Sequence, residues 1–173
     1  MKTFFILILI ILLGSAFLSA KSLIKPEKQE PIKQEPTEDT PPSDIQAHID
    51  SKKDLIVLES PKPLEMISSP ITLTGKARGT WFFEASFPVT VVDWDGKIIG
   101  EGHADAVLDP NDPNSTWMTE DFVPFKAEVT FDLPENVGEF SNKGAIILRK
   151  ANASDLPEND DALEVPILFW EQG

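Results

Sequence analysis

Apolar and polar positions divide this chain into three regimes. The first is an unbroken apolar run from Phe4 to Leu13, preceded by Lys2 and followed by the small-residue tail Gly14-Ser15-Ala16-Phe17-Leu18-Ser19-Ala20. From Lys21 to about Lys53 polar residues and proline dominate, with no apolar period. From Asp54 onward the pattern becomes short β-prone runs separated by turn residues, which predicts an all-β fold. Leu55 to Leu58 is the first run, stopped by Ser60-Pro61-Lys62-Pro63. Ile71 to Ala77 is the second, with Ile71 and Leu73 on one face. Phe82 to Trp94 is the third, in which Pro88 lacks an N–H and belongs at an edge or a bulge. Asp95-Gly96 is a two-residue hairpin signal leading into the fourth run, Lys97 to Leu108. An aperiodic stretch, Asp109 to Asp121, separates these from the fifth run. There Phe125, Ala127, Val129 and Phe131 alternate with Lys126, Glu128, Thr130 and Asp132, so the first set is expected inward. Ala145 to Leu148 and Glu164 to Trp170 complete the series, with Val165, Ile167 and Phe169 on one face.

About seven strands in a segment of this length predict an immunoglobulin-like β-sandwich over residues 54–173. The leading segment, residues 1–20, has the charge, apolar centre and small-residue tail of an export signal. Counted from Phe4 to Ala20 the stretch is about 17 residues, the lower limit for spanning a bilayer core as an apolar helix. Cleavage after Ala16 and an uncleaved signal anchor both fit, and both place the remainder outside the cytoplasm. Residues 21–53 contain Lys28-Gln29-Glu30-Pro31 repeated as Lys33-Gln34-Glu35-Pro36, then Pro41-Pro42. With too little apolar surface to offset the entropy of ordering, this segment is expected to be a disordered, semi-stiff tether.

The folded part resembles the bacterial spore-germination immunoglobulin-like domain, Gmad2, from about Leu55 to Phe169. The matching features are Ile56-Val57, Pro61, Ser69-Pro70 before a strand ending in Gly75-Lys76-Ala77, Phe83-Glu84-Ala85, Val91-Val92-Asp93 before Asp95-Gly96, Phe125 opening an alternating strand, and Val165-Pro166-Ile167. The resemblance implies an extracytoplasmic module in a membrane-anchored or lipoprotein setting, and it carries over no catalytic residues.

Charge narrows the classes of partner. The net charge is -14, which argues against nucleic acid, since a polyanion is bound by neutralising its phosphates. The acidity belongs to the folded part: residues 21–53 carry six basic and seven acidic residues, and Asp54 onward eight and 22. With no cysteine there is no disulfide framework, no thiolate metal site and no lipobox for acylation. Stability must come from burial, at roughly 1.5–3 kcal/mol per large apolar side chain.

Individual residues then suggest limited chemistry. Glu84 stands in an apolar run, where a buried charge must be compensated, and Arg78 just upstream is the expected partner in a structural pair. Asp109 and Asp112, with Asp93, Asp95 and Asp105, are oxygen ligands of the kind calcium takes. They lack the EF-hand spacing, and ordinary turn chemistry also accounts for them. Trp94 and Trp117 lie beside turns, where an exposed indole supplies a contact surface, whereas Trp81 and Trp170 are expected in the core. His48 and His103 are too far apart in sequence, with no nucleophile near them, to suggest a triad or zinc site. The reading is therefore a non-enzymatic module without a cofactor, exported and held at the cell envelope, that contacts an envelope protein or cell-wall polymer. Its membrane contact is the N-terminal segment if uncleaved. The alternative is a calcium-dependent or carbohydrate-binding adhesin.

Overall fold

The computed structural model describes residues 42–133 and 141–170. The expected export segment, and the tether up to residue 41, lie outside the described residues. Among the described residues eight strands form the fold: β1 (Ile56–Ser60), β2 (Met66–Ile67), β3 (Ile71–Arg78), β4 (Ser86–Asp93), β5 (Ile98–Ala106), β6 (Phe122–Val129), β7 (Lys143–Arg149) and β8 (Ala162–Phe169). Seven of them fall on the seven apolar runs. The eighth, β2, is a two-residue strand that pairs parallel with Leu168 and Phe169, too short to leave a pattern.

Where two separate sheets were expected, hydrogen bonds run through a single sheet in the order β1-β3-β6-β5-β4-β7-β8-β2. The halves β1-β3-β6-β5 and β4-β7-β8 keep the strand order of the two immunoglobulin sheets. The long β4–β5 hairpin, paired from Ser86↔Asp105 to Val92↔Ile98, joins them. This sheet must curl. Laid flat, seven inter-strand steps would hold β1 and β2 roughly 34 Å apart. The six Cα steps from Ser60 to Met66 reach at most about 23 Å. The two edges are therefore drawn toward each other around one core.

That core is where the alternation placed it. Phe125, Ala127, Val129 and Phe131 are buried, as are Leu73, Val165, Ile167 and Phe169. Phe87 packs edge-on against both Phe82 and Phe125, with ring centroids 5.2 and 5.1 Å apart, the arrangement favoured by the ring quadrupole. Pro88 sits on β4 just before the β4–β7 ladder begins at Val89↔Leu148, so its missing donor breaks no pairing there.

Two turns differ from their sequence signals. The β4–β5 connection is a three-residue loop, Trp94-Asp95-Gly96, where the sequence predicted two residues. Gly96 takes φ +78° with open space where a Cβ would stand, and the Asp93 carboxylate accepts the Asp95 and Lys97 N–H groups at 3.0 and 2.9 Å. The expected Phe82-to-Trp94 strand is interrupted at its start. A 3-10 turn, Gly79–Trp81, precedes a two-residue hairpin turn closed by reciprocal Phe83–Ser86 backbone bonds of 2.9 and 3.1 Å.

The end of the expected tether is also ordered, as helix α1 (Ser43–Lys52). Asp44 in its first turn and Lys52 in its last suit the helix dipole. Ile45, His48, Ile49 and Lys52 are half-buried, at the i, i+3, i+4, i+7 spacing of one helical face. Two isoleucines among prolines and charges were too weak a signal to override the composition. Among the described residues no helix is long and apolar enough to cross a membrane.

Candidate functional site

Helix α1 lies along the outer side of β8, and together they build a concave surface. An edge strand exposes unpaired backbone groups that invite another strand. On β8 these are occupied in turn. The Ala162 N–H donates to Asp161 Oδ1 at 2.8 Å and the Glu164 N–H to His48 Nε2 at 3.2 Å. Pro166 has no donor, and its carbonyl accepts the Leu64 N–H at 2.8 Å. The Leu168 N–H donates to Glu65 O at 3.0 Å. His48 thus acts as an acceptor through Nε2.

Beyond His48, the Lys52 ammonium pairs with the Asp161 carboxylate, both side chains half-buried. Around that pair opens a polar cleft of about 760 Å³, bounded by α1, Pro88, the end of β7 and the loop leading to β8. The loop rim is stiffened by its own side chains. Asn152 Nδ2 donates to Leu156 O (2.9 Å) and Asp160 Oδ1 (2.7 Å), and Asn152 Oδ1 accepts from Ser154. The base of the loop is fixed by the Lys150 N–H donating to Asp161 O at 2.8 Å and the Ala151 N–H to Trp81 O at 3.0 Å. Arg149 and Lys150 also line the cleft, and among the described residues neither side chain has a hydrogen-bond or ion-pair partner. The cleft therefore offers two adjacent uncommitted cations in a strongly acidic protein. A guanidinium can grip a carboxylate or phosphate with two parallel bonds, and the amide and hydroxyl rim suits a hydroxyl-rich group.

The residues singled out from the sequence are distributed elsewhere. Arg78 and Glu84 do not pair. Arg78 Nε donates to Asp54 O (2.9 Å), Nη1 to Glu120 O (3.1 Å), and the guanidinium stacks 4.2 Å from the Phe122 ring centroid. Glu84 is exposed in the two-residue turn, at φ 52°. Its apolar neighbours are a hairpin flank, so there is no buried charge to compensate. Asp109 and Asp112 form Asx turns: Asp109 Oδ1 accepts the Asn111 N–H at 2.8 Å, and Asp112 Oδ1 the Asn114 N–H at 2.9 Å. Among the described residues no three His, Asp or Glu side chains converge as a metal site.

The tryptophans are only partly where they were expected. Trp81 is buried and Trp94 is exposed. Trp117 is half-buried against the core, so it presents less surface than its loop position suggested. Trp170, expected inside, is exposed, because alternation puts it on the face opposite the buried Val165, Ile167 and Phe169. Nothing local in the sequence marks the cleft. Arg149-Lys150, Lys52 and Asp160-Asp161 come from three separated segments, and only the β7–β8 connection and the docking of α1 bring them together.

The family model for the immunoglobulin-like domain of bacterial spore germination, Gmad2, matches residues 55–142. No curated protein and no solved structure matches the chain.

Proposed function

From the premise that the chain belongs to the immunoglobulin-like domain family of bacterial spore germination, we propose that it is a non-enzymatic contact module. In this reading it is exported and held at the cell envelope by its N-terminal segment, and it engages a cell-wall polymer or an envelope protein. The observation that carries the contact role is the polar cleft with Arg149 and Lys150 uncommitted on its wall. Of its other titratable groups, Lys52 is engaged with Asp161, His48 with the Glu164 N–H and Asp160 with Asn152, while the exposed Asp155 also lies on the lining. The two free cations are suited to holding an anion, whereas acid–base catalysis requires a positioned donor and acceptor. Anchorage is supported by the Lys2, Phe4–Leu13 and small-residue sequence at the start of the chain.

An anionic, hydroxyl-rich wall polymer is the partner the cleft suits best. The test is co-sedimentation of the full chain with purified wall polymer, compared with an Arg149→Ala/Lys150→Ala variant. A hydrogen bond to a charged group is worth about 1.5–3 kcal/mol, so the double substitution is expected to weaken binding about tenfold or more. Equal sedimentation of both proteins would rule out the cleft as the contact.

A further inference from the structure

A second surface lies at the opposite end of α1 from the cleft, where the described chain begins. The direction of the helix fixes that end. Asp44 and Ile45 lie beside Glu164 and Pro166, while Ser51 and Lys52 lie beside Asp160 to Ala162. Helix α1 therefore runs opposite to β8. The described chain thus begins, at Pro42, at the end where β8 finishes.

Four large apolar side chains are exposed at that same end. Trp170, 60% exposed, follows β8 directly. Met66, 42% exposed, pairs with Leu168. Trp94, 61% exposed, tips the β4–β5 hairpin, and Ile98, 53% exposed, pairs with Val92 beside it. The ladders bring these positions together, since Asp93 pairs with Gly144 and Lys143 with Leu168. Lys97 and Lys143 are exposed among them. Of the two acids flanking Trp94, Asp93 has its carboxylate engaged by two backbone N–H groups and Asp95 is exposed beside Lys97.

We propose that this tryptophan-bearing end rests on a lipid surface, with Trp94 and Trp170 at headgroup depth. The inference builds on the reading of Phe4–Leu13 as a membrane anchor. Indole rings favour that depth because one face is apolar and the N–H stays wet. Lysines beside them keep their ammonium groups in the polar layer while their stems cover apolar surface. The 29 residues from Gly14 to Pro42 span at most roughly 100 Å. An anchored chain thus confines the domain near the bilayer, with the tryptophan end nearest the anchor along the chain. Confinement turns docking into an intramolecular event, so a contact too weak to hold a free protein is populated here.

The test reconstitutes the full chain into vesicles of phosphatidylcholine with brominated acyl chains, which quench tryptophans near the bilayer. Flotation of the vesicles reports anchorage, and fluorescence reports contact. The expected result is flotation with quenching, and a Trp94→Phe/Trp170→Phe variant that still floats but loses most of that quenching. Flotation with no quenching, or with quenching unchanged in the double variant, overturns the lipid contact and leaves the anchor reading standing. A chain that does not float overturns the anchor reading and the contact with it.

Discussion

The turn at Glu84 and Ala85 offers a perturbation whose sign separates two accounts of the same acid. Had Glu84 been a buried partner of Arg78, neutralising it would destabilise the fold. In the structure it is exposed, and the backbone carries the cost: Glu84 and Ala85 take φ of 52° and 63°. These are the two central positions of a type I′ hairpin turn, which favours Asn-Gly. Holding an L-residue with a Cβ in that region costs about 1–2 kcal/mol. Glycine removes this cost and loses about 0.5–1 kcal/mol through the greater freedom of the unfolded chain. Ala85→Gly should therefore stabilise by about 0.5–1 kcal/mol, and Glu84→Asn/Ala85→Gly together by about 1–2 kcal/mol. For a domain of this size that raises Tm by about 3–10 °C. Glu84→Gln should leave Tm unchanged. Thermal unfolding of the full chain followed by circular dichroism measures all three. A lower Tm for Ala85→Gly would refute the turn argument, and a lower Tm for Glu84→Gln would restore the ion pair.

Two further variants test how loop and helix are held. A Cβ at Gly79 would stand 2.0 Å from Thr119 O and 2.3 Å from Trp117 O, and the Gly79 N–H donates to Asp121 O at 3.2 Å. Overpacking and a weakened hydrogen bond together predict that Gly79→Ala costs about 2–4 kcal/mol. Denaturant titration reads that loss, and limited proteolysis should show new cleavage within Asp109–Asp121. Removing the two polar contacts of α1 with His48→Ala/Lys52→Ala should cost only about 1–2 kcal/mol. Hydrogen exchange should nevertheless quicken at the α1 amides and at Glu164, leaving the β3–β6 ladder protected.

Much of the β-architecture could be read from the sequence because strand alternation is a local signal. Phe125 to Phe131 state their inward face in the order of the residues themselves. What failed was non-local or depended on backbone angles that the residue types did not advertise. Glu84-Ala85 adopts a turn that its residue types disfavour, so the acid was read as a charge inside a strand. Whether two half-sheets remain separate depends on how far the β4–β5 hairpin extends, a tertiary outcome. Trp170 points outward by the same alternation that buries Val165, Ile167 and Phe169, and its large apolar ring alone is no sign of burial. Helix α1 is stabilised mainly by its contacts with β8, so its own sequence carries only a faint period. The cleft inherits all of these difficulties, since it exists only once α1, the end of β7 and the start of β8 have met.

The central claim is that this domain works outside the cytoplasm as an envelope contact module. The chain contains no cysteine, so a single Met118→Cys substitution, at a residue 72% exposed, creates a unique thiol. Labelling intact cells with a membrane-impermeant maleimide tests the claim most directly. The account predicts full labelling of the Cys at position 118 without permeabilisation. Labelling that appears only after lysis would contradict it.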